Sequence, residues 1–332
     1  TPLFELTRSR SSKKIPEGDI YKRLSNISEV FGRRAFLLDL SFIEDYTNDQ
    51  IKALHVTAGG YKNWCKFINN LKVKFPDIIP VIQVSEEGVG TPQEYLTRIT
   101  EQVNRLSDNF EVLAYRFPIT YHDYTHDIQA IFNGLNGSQL LIIIDAEYIE
   151  QQKSQYYAKS ASAIIDNFNN TLVSGIAVSG CSFPKNPTDH GEDEYGLFRL
   201  EEVFLSKAVE DSVDRSIILS DYATINPFPS EQAGGRGWVP RIDLPLERDI
   251  LYYRSRKQTP PESSYLNAYI RCAKQMIEDS YFEEAASRIP NCWGIKKIIS
   301  AASGTPEGLS PSFWISVRMN IYITQLIKEM FH

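Results

Sequence analysis

Carboxylates and arginines close a series of short apolar runs in this chain: Glu5 and Arg8, Asp39, Gln83, Arg116, Asp145, Ser179 and Ser182, Asp221 and Arg254. If these run ends converge, four carboxylates meet three guanidiniums. Hard oxygen ligands of that kind hold Mg²⁺ through one or two carboxylates, and arginine forks take phosphate with two parallel hydrogen bonds. Glu5, Asp39, Asp145 and Asp221 are then the candidate catalytic groups of a metal-dependent phosphoester hydrolase. Arg8, Arg116, Ser182 and Arg254 are the candidate ligand contacts. The competing expectation is a structural ion network, because acids and arginines at strand ends also pair with one another.

Other motifs carry less. Gly234-Gly235-Arg236-Gly237-Trp238 allows close backbone approach to a phosphate, with Arg236 as a contact, yet it matches neither a P-loop nor GxGxxG. His122-Asp123-Tyr124-Thr125-His126 sets two imidazoles four apart, a spacing that suits a metal. With no third ligand in view, a solvated helix start is the simpler account. The acidic stretch 189–194 reads as a surface loop. Cys181 lacks a placed base and reads as a buried small hydrophobe, and Ser182 lacks the GxSxG elbow of serine hydrolases.

The elements that must position these groups follow from hydrophobic periodicity. Eight apolar, β-branched runs (2–6, 35–40, 78–84, 112–118, 140–146, 175–183, 216–222 and 249–254) alternate with amphipathic stretches. Eight βα units predict a (β/α)8 TIM-barrel-like fold, whose active site lies at the C-terminal ends of the strands. Tyr95, Ile99, Val103 and Leu106 form one helical stripe, and Tyr157, Ala161, Ile164, Ile165 and Phe168 another. Thr91-Pro92-Gln93-Glu94 is a capping box with proline at the first helical position. After Arg254 a proline break leads into helical stretches carrying Tyr265, Tyr269 and Trp314, whose aromatic side needs a partner. The predicted organisation is a barrel over residues 1–256 and a helical extension over 257–332 packed on it.

Composition sets the outer bounds. The 332 residues are 42% hydrophobic and 23% charged, which suits a packed globule and excludes disordered and fibrous classes. A net charge of −7 is not the overall basic footprint of a general duplex-DNA binder, and local basic pockets stay open. Four cysteines without paired spacing predict neither a disulfide framework nor a zinc knuckle, and a reducing, cytoplasmic setting. No apolar run approaches a membrane span, so no membrane association is expected.

Taken in order, Thr1-Pro2-Leu3-Phe4-Glu5-Leu6, Leu37-Leu38-Asp39, residues 141–145, Ser182-Phe183-Pro184, Ser220-Asp221-Tyr222-Ala223 and Tyr253-Arg254 resemble the phage "beta protein" family, with a weaker echo at Trp314. That family occurs in phages and in mobile or defence-associated regions of bacterial genomes. The resemblance implies a barrel-like α/β fold and a phage–host setting, with no single activity to carry over. It also implies an extra strand and a Gly-Glu helix ahead of the position of Thr1, so a front segment is expected to be missing here. A histidine pair of the last helix is replaced here by Ile321 and Tyr322. Two functions are therefore expected. One is binding or hydrolysis of a phosphoester, nucleotide or nucleic-acid end at the barrel mouth. The other is a non-catalytic module that holds a partner protein in a phage or anti-phage defence complex.

Overall fold

The computed structural model describes residues 1–168, 171–186, 194–229, 238–255 and 264–330. Its strands are β1 (Leu3–Leu6), β2 (Phe36–Leu40), β3 (Ile78–Pro80), β4 (Val112–Pro118), β5 (Gln139–Tyr148), β6 (Val173–Cys181), β7 (Tyr195–Arg199), β8 (Ile218–Leu219), β9 (Arg241–Pro245) and β10 (Asp249–Arg254). Between the early strands run α1 (Ile20–Phe31), α2 (Asp49–His55), α3 (Ala58–Lys72), α4 (Pro92–Ser107), α5 (Tyr124–Gly134) and α6 (Ser154–Ile165). Then come α7 (Glu201–Glu210), α8 (Tyr265–Ile277), α9 (Ser280–Arg288), α10 (Trp293–Ala302) and α11 (Pro311–Met330). The fold is mixed α/β with parallel sheets.

The chain divides into two compact units. Thr1–Asp145, Ile164–Ala177 and Ser216–Ile218 form the first; Ala146–Ala163, Val178–Arg215 and Leu219–His332 form the second. In the first, β1, β2 and β3 make a sheet with β2 central, and both of its pairings are parallel, Glu5 standing opposite Asp39. A parallel bridge between Val81 and Ala114 carries the pairing on to β4, which runs parallel to β5 with Pro118 opposite Asp145. The second sheet has the order β4-β5-β6-β8.

One face of these strands is sorted by the two-residue period of a strand. Leu37, Val81, Ala114, Ile143 and Ala177 form a buried cluster, with Leu3, Ile79 and Leu141 packed on it. Two residues beyond Leu3, Leu37, Val81, Ala114 and Ile143 stand Glu5, Asp39, Gln83, Arg116 and Asp145. A polar layer is thus stacked on an apolar one. On the other face of β1 and β2, Phe4 and Phe36 meet Phe31, and Phe36 meets Phe75, all edge to face with centroids 5.2 to 6.2 Å apart.

The predicted helix start at residue 92 is present. Thr91 Oγ1 accepts from the Glu94 amide (3.2 Å), and Glu94 Oε2 accepts from the Gly90 amide (2.9 Å). His122 falls ahead of α5, whose first residue is Tyr124, so the two imidazoles do not share a helix face.

The eighth predicted run departs from the parallel pattern. β10 lies between β7 and β9 and is antiparallel to both. Its middle, Ile250 to Tyr252, is buried because both its faces are covered. Leu251 joins Ile242, Leu244 and the C-terminal helices on one side, and Ile250 and Tyr252 join Phe198, Leu200 and Tyr322 on the other. A strand buried on two faces reads like one from a parallel sheet. The seventh run, 216–222, yields only the two-residue β8, whose side chains are half exposed.

The C-terminal helices bury Tyr269, Met276, Ile295, Ile298, Trp314, Val317 and Ile321 against β9 and β10. Trp314 is 4% exposed and stacks on Tyr269 at 5.2 Å. Trp238 stacks on Tyr265 and donates from Nε1 to the Tyr269 hydroxyl at 3.2 Å. No helix among the described residues is long and apolar enough to cross a membrane.

Candidate functional site

Four of the predicted site residues converge in the first unit. Arg116 donates from Nε to Asp145 Oδ2 (2.7 Å), and from Nη1 to Glu5 Oε1 (2.6 Å) and Asp39 Oδ2 (3.2 Å). Gln83 joins them: its Nε2 donates to Asp39 Oδ1 at 3.0 Å, and the Leu40 amide donates to the same oxygen at 2.8 Å. Gln83 is held in turn by Gln102 of α4 through paired main-chain and side-chain bonds of 2.9 and 2.7 Å. Glu5 and Asp39 sit one residue before the ends of β1 and β2, Arg116 two before the end of β4 and Asp145 three before the end of β5, while Gln83 lies three residues past β3, so the strand register sets this geometry.

Three carboxylates around one guanidinium leave a formal excess of two negative charges. Exposure is uneven, with side chains 2% exposed at Asp145, 8% at Asp39, 17% at Arg116 and 33% at Glu5. Burial pushes the Glu5 carboxyl up, and the neighbouring Asp39 and Asp145 charges add to that, against the pull of Arg116. The excess of acid repels a bare phosphate. Mg²⁺ would need the same oxygens, but here all three carboxylates are turned onto Arg116. Among the described residues no group of three or more His, Cys, Asp or Glu is placed to hold a metal ion. The donor set therefore does not fit a preformed Mg²⁺ site.

The other predicted residues have different surroundings. Arg8 donates from Nε to the Asp45 carbonyl (3.1 Å) and from Nη1 to Ser11 Oγ (2.9 Å), away from the Arg116 cluster. Ser182, Asp221 and Arg254 belong to the second unit. Ser182 is wholly buried and acts as a local brace: its amide and hydroxyl donate to Glu202 Oε2 (2.9 and 2.6 Å), and its oxygen accepts from the Glu201 amide (2.9 Å). Asp221 accepts from the Ala223 amide (2.6 Å) and from the Tyr322 hydroxyl (3.0 Å). Tyr322 is one of the two residues standing where the family resemblance implies histidines. Arg254 stands opposite Arg241 in the antiparallel sheet, and its amide donates to the Glu194 carbonyl at 2.7 Å. Arg236, with the rest of residues 234–237, lies outside the described residues, as does 189–193 of the acidic stretch. Cys181 is buried, which lifts its thiol well above the ordinary range, as expected of a small hydrophobe rather than a nucleophile.

Sequence reasoning missed a buried charge network in the second unit. Asp243 accepts from Arg241 Nε (2.6 Å) and Arg318 Nη1 (2.9 Å), and Arg318 also bonds the Thr224 hydroxyl and carbonyl at 3.1 Å each. Both arginines lie on aromatic rings, Arg318 3.5 Å from the Phe183 centroid and Arg241 4.2 Å from that of Tyr252. Ala223 and Thr224 hold positive φ (49° and 65°), a cost of about 1–3 kcal/mol each, and Asp221 and Arg318 fix that turn. The available signal was Asp243 itself, an acid between Ile242 and Leu244 in a short apolar run.

The model of the family described as Beta protein matches residues 1–328. The protein named Protein beta, of Enterobacteria phage P4, is 24% identical over 331 residues, which span 98% of this chain and 85% of the phage protein. No solved structure matches.

Proposed function

This chain belongs to the beta protein family, and from that premise we propose that it works by binding: a non-catalytic interaction module of phage–host conflict, held in shape by its charged clusters. The observation that carries this reading is the Arg116 guanidinium, shared among Glu5, Asp39 and Asp145 of three different strands. Carboxylates committed to one arginine brace the strands, and a brace of that kind serves a scaffold. On this reading the parallel strands of the first unit are the wall of a (β/α)8-like barrel, and the bound partner is a protein of the same phage or defence complex. The test is turnover. Incubation with Mg²⁺ and bis(p-nitrophenyl) phosphate, single-stranded DNA or duplex ends should release no product above a heat-inactivated control. Mg²⁺-dependent cleavage that disappears in Asp145→Asn overturns the reading.

A second reading keeps Glu5, Asp39, Arg116 and Asp145 as a site for a phosphoester, nucleotide or nucleic-acid end. The observation favouring it is that Glu5 and Arg116 stay partly exposed at C-terminal strand ends, where α/β barrels place their chemistry.

A further inference from the structure

A cavity of about 570 Å³ opens in the first unit beside the first turns of α4 and α5. Glu86, Asp123 and Asp127 bring carboxylates to it, Tyr95 and Tyr121 bring aromatic rings, and Leu96 gives an apolar wall. His126 lines it too, and no Lys or Arg does. The cavity shares no lining residue with the Arg116 cluster, so a ligand bound in it is independent of the role proposed for that cluster.

Asp127 is the unusual member. It is 0% exposed, and its Oδ2 accepts from the Tyr115 hydroxyl at 2.6 Å. Its Oδ1 is buried without a hydrogen-bond partner. The Tyr95 and Tyr121 hydroxyls, 3.5 Å apart, lie close enough to favour the ionised form of the same carboxyl, although burial outweighs them and raises its pKa. A buried carboxylate oxygen left unpaired costs free energy, and native proteins rarely leave one without cause. A donor that reached this oxygen would satisfy it. The Tyr95 and Tyr121 hydroxyl oxygens add further acceptors to the lining. The lining is therefore rich in acceptors, negative and aromatic, which disfavours anions and favours a positive group with several N–H donors and an apolar stem.

We propose that this cavity binds an organic cation, an alkylguanidinium or alkylammonium group, with its head against Asp127 between Tyr95 and Tyr121 and its stem along Leu96. The same chemistry has two sources, a free polyamine-like molecule and the side chain of an arginine or lysine in another protein.

Titration calorimetry and amide chemical-shift mapping on the full chain, with agmatine, spermidine and N-acetyl-arginine amide, test the proposal. The expected result is saturable binding, with shifts in the first turns of α4 and α5. Tighter binding of agmatine or spermidine points to a free ligand, and tighter binding of the blocked arginine to a side chain. Asp127→Asn should weaken binding about tenfold, the worth of one charge-assisted hydrogen bond. Because that variant also loses a partner of Tyr115, the exposed-rim variant Glu86→Gln/Asp123→Asn is measured beside it. It should melt like the parent and still weaken the cation by about threefold, a loss typical of exposed charge pairs. Failure of all three cations to bind, binding that neither variant weakens, or preferential binding of inorganic phosphate in this cavity overturns the proposal.

Discussion

Arg116 Nη1 stands 2.6 Å from Glu5 Oε1 and so joins β4 to β1 across β2 and β3. Neighbouring strands lie about 4.8 Å apart, so on a flat sheet these two would be separated by roughly 14 Å, with their side chains standing parallel. The contact requires the sheet to curl around the charged layer. Curvature, and not sequence proximity, brings a carboxylate 111 residues away onto this guanidinium.

In the second unit, Asp243 is shared by two buried arginines, with side-chain exposures of 6% at Arg241 and 5% at Arg318. Asp243→Asn should destabilise by about 3–5 kcal/mol, because it leaves buried positive charge unpaired. Adding Arg318→Met to that background should recover part of the loss. Urea unfolding of the parent, both single variants and the double variant measures the coupling, and simple additivity would argue against the network.

Glu202 is the site of a predicted pH dependence. Burial pushes its carboxyl up to about 7, with the bonds from Ser182 pulling the other way. A carboxyl whose folded pKa is raised above its unfolded value near 4.3 stabilises the fold fully below about pH 4. That contribution is lost as pH rises to about 7, and it is flat above. Glu202→Gln removes the titration, so its stability relative to the parent should rise between pH 5 and pH 8. Melting curves of both proteins across that range check it, and a constant difference contradicts it.

The C-terminal helices supply the cover of the antiparallel sheet. Trp314→Ala should cost about 3–5 kcal/mol, as large-to-small changes in a core do. A chain ending at residue 258 should precipitate, since Ile242, Leu244 and Leu251 would lose the helices that pack on them. Sedimentation and melting of the truncated chain decide it: full solubility with an unchanged melting temperature would refute the docking of these helices on β9 and β10.

The parallel half of the fold was legible because β1, β2, β4, β5 and β6 are short, largely apolar runs at βα spacing, with charges near the ends of the first four of them. Alternation also placed Glu5, Asp39, Gln83, Arg116 and Asp145 together, since each stands two residues beyond an inward apolar side chain. The direction of β10 was not legible. Asp249 to Arg254 reads the same whether its neighbours run up or down, and the pairing is set by β7 and β9, five residues each with little pattern of their own. Glu202 and Arg318 sit on helices as ordinary charged residues. Only packing from distant segments, Ser182 on one and Asp243 and Phe183 on the other, makes them buried. Asp127, likewise, looks like an acid in a first helical turn until three tyrosines close around it.

The central claim is that the Arg116 cluster braces the first unit, and Asp145→Asn tests it most directly. Asp145 is 2% exposed and is the partner of Arg116 Nε. A brace predicts a loss of about 1–3 kcal/mol in the variant, measured by urea unfolding, because Arg116 Nε loses its charge-assisted hydrogen bond while Glu5 and Asp39 still pair the guanidinium. The parent, titrated in parallel, should take up neither Mg²⁺ nor inorganic phosphate. A variant as stable as the parent, together with a parent that binds Mg²⁺ and phosphate and loses both on substitution, would contradict the account.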